Sequence, residues 1–127
     1  MDLTTAYAAY LDCLNARRWD ELGHHVADDV RHDDRPLGLA GYRRMLERDV
    51  AAIPDLRFVA EDVVASGDVV AVRLAFDCHP VGELFGVAVD GRRVVFGEHV
   101  FYRYAGGRVA DVRSLVDVEA VRRQVGA

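Results

Sequence analysis

The strongest constraint on this chain is a switch in hydrophobic period at Pro54. Before it, apolar residues recur every three or four positions; after it, they alternate. Leu3, Tyr7, Tyr10, Leu11 and Leu14 make the stripe of an amphipathic helix. After a break at Asn15 to Arg18, Trp19, Leu22 and Val26 predict a short second helix, with Asp20 and Glu21 near its positive N-terminal end and Trp19 as a core anchor. Asp28 to His32 reads as extended, and the loop through Pro36 and Gly38 interrupts any helix. Tyr42, Met45, Leu46, Val50 and Ile53 stripe a third helix over 40–53, which Pro54 ends by removing a donor and restricting the residue before it.

Beyond Pro54 the pattern predicts strands over 56–65, 69–79, 93–104 and 109–116. Gly67-Asp68 and Gly106-Gly107 supply tight turns, a loop runs to Gly91, and a last helical turn spans 118–124. Helices first and strands after give an α+β class, an antiparallel meander with the helices packed on one face of a curved sheet. With 127 residues there is room for one domain, 1–127, around one core.

Charge narrows the partners. A net charge of -5 lacks the basic field that draws in nucleic acid or an anionic membrane, and the pairs Arg17-Arg18, Arg43-Arg44, Arg92-Arg93 and Arg122-Arg123 all have acids nearby. No apolar run reaches the ~20 residues of a membrane helix, and no signal peptide is recognisable, so a cytoplasmic location is expected. Cys13 and Cys78 read as two reduced, buried thiols.

Alternation splits each late strand into two faces. The even positions Val70, Val72, Leu74, Phe76, Val94, Phe96, Val100, Tyr102, Tyr104, Val112 and Val116 are apolar, with Glu98 the one charged intruder. The odd positions carry Arg73, Asp77, His79, His99, Phe101, Arg103, Asp111, Arg113 and Asp117. A tight turn would bring His99 roughly opposite Arg113 with Asp111 close by, so that imidazole, carboxylate and guanidinium share a surface. That surface fits either a solvated face of paired charges or a pocket wall. Apolar residues interleave its charges, and its histidines exchange protons near neutral pH. A β-bulge would reverse the faces locally, which keeps Glu98 among the candidates.

Reaction signatures are few. The chain has no GxSxG, GxxxxGK[ST], strand-borne GxGxxG or HExxH, so chemistry without a cofactor, by acids and bases, is expected. His24, His25, His32, Asp33 and Asp34 lack any recognised ligand spacing, and no metal site is expected.

Trp19-Asp20-Glu21-Leu22, Asp28-Asp29-Val30-Arg31-His32, Pro54-Asp55-Leu56, Gly82-Glu83-Leu84-Phe85-Gly86 and Gly107-Arg108-Val109-Ala110-Asp111 follow one another in order. In this the chain resembles the SnoaL-like polyketide cyclase family of the NTF2-like superfamily over nearly its full length. The stretch from Glu98 to Asp117 is similar to the branch called ester cyclases. The resemblance implies a cone: a curved sheet wrapped around three N-terminal helices, with an open apolar cavity. It also implies a cofactor-free aldol-type closure or isomerisation of a small, partly apolar carbonyl compound in secondary metabolism. In that chemistry a carboxylate takes a proton α to a carbonyl and nearby donors hold the enolate.

On this resemblance Asp111 is the expected base, and His99 and His32 the expected donors or proton relays. Arg113 stands where the family commonly has tryptophan, which would make the pocket more polar and weaken Asp111 as a base. It is expected to hold a carboxylate or ester oxygen of the substrate. Arg73, His79, Glu98 and Tyr10 complete the expected substrate contacts. Two other functions fit the same residues. One is an epoxide hydrolase built from Arg73, Asp77, Asp111 and Arg113; the other is a non-catalytic binding or dimerisation module. A homodimer is expected in each case, since the sheet face outside the pocket needs cover.

Overall fold

A computed structural model describes residues 2–126. Helix α1 spans Leu3–Asn15, with the Asp2 side chain accepting from the Thr4 amide at 3.0 Å, and its stripe buries Tyr7, Tyr10, Leu11 and Leu14. A 3₁₀ helix, Trp19–His24, replaces the longer second helix, because the chain is already extended at Val26, where strand β1 (Val26–His32) begins. Val26 and Val30 of that strand are fully buried. Helix α2 spans Gly38–Ala52.

The remaining strands are β2 (Val59–Ser66), β3 (Val69–Cys78), a short hairpin of β4 (Glu83–Leu84) and β5 (Val87–Ala88), β6 (Val94–Ala105) and β7 (Arg108–Val116). The main sheet runs β1-β7-β6-β3-β2. All its pairs are antiparallel except β1 with β7, a parallel edge strand absent from the expected meander. Gly106 and Gly107 both take positive φ, 59° and 80°, as the tight turn between right-twisted strands requires. Helix α3 spans Val118–Val125, within one residue of the expected 118–124, and Gln124 brackets the Val95 backbone at 2.7 and 2.5 Å.

The pairing sets the two faces. His99 stands opposite Leu115 and Arg113 opposite Phe101, two residues from the expected alignment. An irregular step at Ala110, between the pairs Arg103/Asp111 and Tyr104/Val109, supplies one residue of that offset and lets both Val109 and Val112 point into the core. The even residues of β3 and β6, apart from the half-buried Glu98, are buried with residues of α1 and α2 in a single core cluster.

Candidate functional site

Helix α2 lies over the even face of the sheet, and between them opens a cavity of about 280 Å³. Leu74, Phe76, Phe96, Val100 and Val112 from the sheet and Met45, Leu46 and Ile53 from the helix make its walls apolar. Phe85, on the short hairpin, also lines it while remaining 43% exposed, and its ring stands edge-on to Phe96 with centroids 5.8 Å apart.

The polar residues lining this apolar space are Glu98, Ser114, Asp49, His32, Asp33, Tyr10, Tyr42 and Tyr102. Glu98 lies between Leu74 and Val116 in the ladder, and the Ser114 hydroxyl donates to its Oε2. Burial pushes the Glu98 carboxyl up, the Ser114 bond opposes this, and the negative Asp49 and Asp33 push it further up. Asp49 keeps contact with solvent, yet the protein packed around it raises its carboxyl to about 6, with Arg48 pulling the other way. No arginine lines the cavity.

His32 ends β1 opposite Val112, with its ring edge-on to Tyr42 at 6.3 Å. Burial lowers its pKa, and the Asp33 carboxylate, 3.6 Å from Nδ1, partly restores it. The Arg35 guanidinium lies 3.4 Å from the same nitrogen. A guanidinium only donates, so in that contact Nδ1 accepts and Nε2 carries the proton.

The odd face turns outward, which corrects the expectation that it lines the cavity. Asp111 is on the outer side, 3.5 Å from Arg113, and Arg113 grips Asp34 at 2.9 and 3.3 Å. Arg73 pairs with Asp62 at 3.6 Å, Asp77 with Arg93 at 2.7 and 2.8 Å, and His79 with Asp55 at 2.8 Å; His99 is exposed. The reason is physical. The helices must cover the apolar face, and loop and neighbouring-strand partners neutralise the charged one. The carboxylate and arginine set that suggested epoxide opening therefore lies outside the cavity, with its members held by these partners. Among the described residues no group of three or more His, Cys, Asp or Glu side chains converges with the geometry to hold a metal ion.

Of the expected site residues, the structure brings His32, Glu98 and Tyr10 to the cavity and leaves Asp111, His99, Arg113, Arg73 and His79 outside it. Asp49, Ser114, Tyr42 and Tyr102 were not anticipated as site residues. A signal for Asp49 was present: it falls on the stripe Tyr42, Met45, Leu46, Ile53, where a carboxylate has no packing reason to be.

The family model described as SnoaL-like polyketide cyclase matches residues 4–125. A crystal structure of a SnoaL-like polyketide cyclase from Agrobacterium tumefaciens is 48% identical, with a TM-score of 0.98 over 99% of both chains. TsrD from Streptomyces laurentii is 25% identical, with a TM-score of 0.85 over 98% of this chain and 95% of its own. IdmH from Streptomyces antibioticus shares the fold at 20% identity, with a TM-score of 0.85 and full coverage of both chains. No curated protein matches the sequence significantly.

Proposed function

The chain belongs to the SnoaL-like polyketide cyclase family, and we propose that its cavity performs acid and base chemistry on a small, partly apolar carbonyl compound, as an aldol-type cyclase or an isomerase. The observation that carries this reading is Glu98, a carboxylate on the apolar face with no cationic partner and a raised pKa. Such a group is a stronger base than an exposed carboxylate, and one matched to proton transfer nearer neutral pH.

In the proposed step the ionised Glu98 takes a proton α to the carbonyl. The C–H electron pair forms the enolate, which either attacks a second carbonyl carbon to close a ring or is reprotonated at another carbon. The protonated Glu98, or the protonated Asp49 with Glu98 releasing its proton to solvent, then returns a proton, and His32 can donate a hydrogen bond through Nε2. The chain contains no lysine, so a lysine Schiff base is not available to activate the carbonyl. The step balances without a redox or group-carrying cofactor. Asp33, Asp49 and Glu98 on the wall, with no arginine, favour an uncharged ester or ketone over a free acid.

The outer face suits a homodimer in this reading. Its charges are neutralised within the chain, and Val95, Phe101 and Leu115 are 45%, 59% and 74% exposed on it.

The test is deuterium incorporation from D2O into a panel of neutral aryl ketones and keto esters, followed by mass spectrometry. Native protein is expected to catalyse the exchange and Glu98→Gln to lose it; a folded Glu98→Gln with undiminished exchange overturns the assignment of the base.

A further inference from the structure

Four tyrosines cluster together, three of them lining this cavity, and their protons can be counted. Tyr7, Tyr10, Tyr42 and Tyr102 are each at most 4% exposed. The rings of Tyr7 and Tyr102 lie 4.9 Å apart and those of Tyr10 and Tyr102 5.8 Å apart. The Tyr7 hydroxyl donates to that of Tyr102 at 3.4 Å, while the hydroxyls of Tyr10 and Tyr42 share a contact of 2.7 Å.

A phenol has one proton to give. Tyr7 gives its own to Tyr102, so the Tyr102 proton is left over. In the Tyr10 and Tyr42 pair one hydroxyl donates and the other accepts, so one proton is again left over. Among the described residues no protein acceptor takes either. Tyr10, Tyr42 and Tyr102 all line the cavity, and burial raises their pKa values, which keeps them protonated as donors. The other donors are few: Ser114 gives its proton to Glu98, and no arginine reaches the space.

We infer that Tyr102 and the Tyr10 and Tyr42 pair form a two-proton donor site for the carbonyl oxygen of the ligand. As the α-proton leaves for a base, the C–H pair becomes the enolate double bond and the carbonyl π pair moves onto oxygen. The two phenolic protons hydrogen-bond that oxygen without being transferred, and reprotonation restores the count. Donors fixed in a water-poor site stabilise such charge far more than they would in water. Glu98, Tyr10, Tyr42 and Tyr102 line one cavity of about 280 Å³, so base and donors lie within range of one small molecule. The inference rests on the acid and base reading of the same cavity.

The test uses 2-naphthol, a stable mimic of the enol and enolate whose emission separates its neutral and ionised forms. Tyr102→Phe is expected to raise its Kd about tenfold and to raise the pH at which the bound probe ionises by about one unit. Tyr10→Phe and Tyr42→Phe behave differently, because either alone leaves one hydroxyl with a free proton. Each is expected to change Kd less than about threefold, and the double variant about tenfold, a non-additive pattern that loss of packing does not produce. Tyr7→Phe leaves the Tyr102 proton free and is expected to bind like native.

Circular dichroism checks the fold of each variant, and if Tyr102→Phe does not fold the double variant carries the test. Native protein that fails to bind 2-naphthol, or folded phenylalanine variants that bind and ionise it like native, overturn the inference. Glu98→Gln separates the two readings: it is expected to lose deuterium exchange while still binding the probe. Exchange that survives in Glu98→Gln overturns the base and leaves the donor site to be judged by naphthol alone.

Discussion

On the outer face of β3, β6 and β7 each arginine of the strands has an acid beside it, whereas the inner face carries one carboxylate, Glu98, and no cation. The outer carboxylates Asp34, Asp62 and Asp68 are acceptors for arginines held in water, where pairing contributes little. Glu98 sits among Leu74, Phe96 and Val100, and its hydrogen bond among the described residues comes from the Ser114 hydroxyl. A half-buried charge in apolar surroundings without a cationic partner costs stability, and such a cost marks a site where the group does work that stability does not require.

The most direct way to break this comparison is to neutralise one acid on each face. Glu98→Gln is expected to lower α-proton exchange by about 10²- to 10⁴-fold, the span associated with a positioned base. Asp111→Asn is expected to leave it within about threefold, since that side chain faces away from the cavity beside Arg113. Equal losses in both variants, measured by mass spectrometry in D2O, would erase the functional distinction between the faces.

Packing gives a second contrast. Leu74, 1% exposed on the inner face, is expected to cost about 2–5 kcal/mol on replacement by alanine in urea unfolding at low protein concentration. Leu115, 74% exposed on the outer face, is expected to shift stability by no more than about 0.5 kcal/mol in the same measurement. The outer leucine matters elsewhere if that face meets a second copy. Leu115→Glu is then expected to raise the Kd of self-association at least about tenfold by analytical ultracentrifugation, with the monomer's unfolding midpoint unchanged. A native chain that sediments as a monomer removes the dimer and leaves the inner face untouched.

How much of this could be read from the sequence differs between the two faces. The period switch at Pro54 and the paired glycines at 106 and 107 carried the helix order and the meander, because local spacing and turn geometry are local properties. Alternation also singled out Glu98 as the intruder on the apolar face. It did not say which face α2 covers, and the interleaved Phe101 and Leu115 made the outer face look like a pocket wall. What makes the outer charges ordinary is their partners, and Asp34 reaches Arg113 from 79 positions away in the chain. The parallel pairing of β1 with β7 was equally hidden, since no turn joins the two strands. The tyrosines read as a core stripe because a stripe shows burial, while hydroxyl pairing is a tertiary contact.

Asp49 sharpens the comparison most finely, because it belongs to the cavity yet keeps contact with solvent. Its carboxyl is raised from 3.8 to about 6, chiefly by burial. The native state therefore holds this proton more tightly than the unfolded chain does. Linkage then fixes the sign: between about 3.8 and about 6 the native state binds more protons, so stability falls as pH rises through that window and stays reduced above it. Asp49→Asn removes the effect. The variant is expected to match the native protein near pH 4 and to exceed it above pH 6.5. The gain should be under about 1 kcal/mol, because solvent contact screens the group. Thermal unfolding of both proteins across this range checks it. A difference that is constant with pH would mean that burial does not raise the Asp49 carboxyl, and the cavity would then owe its acid and base character to Glu98 and His32 alone.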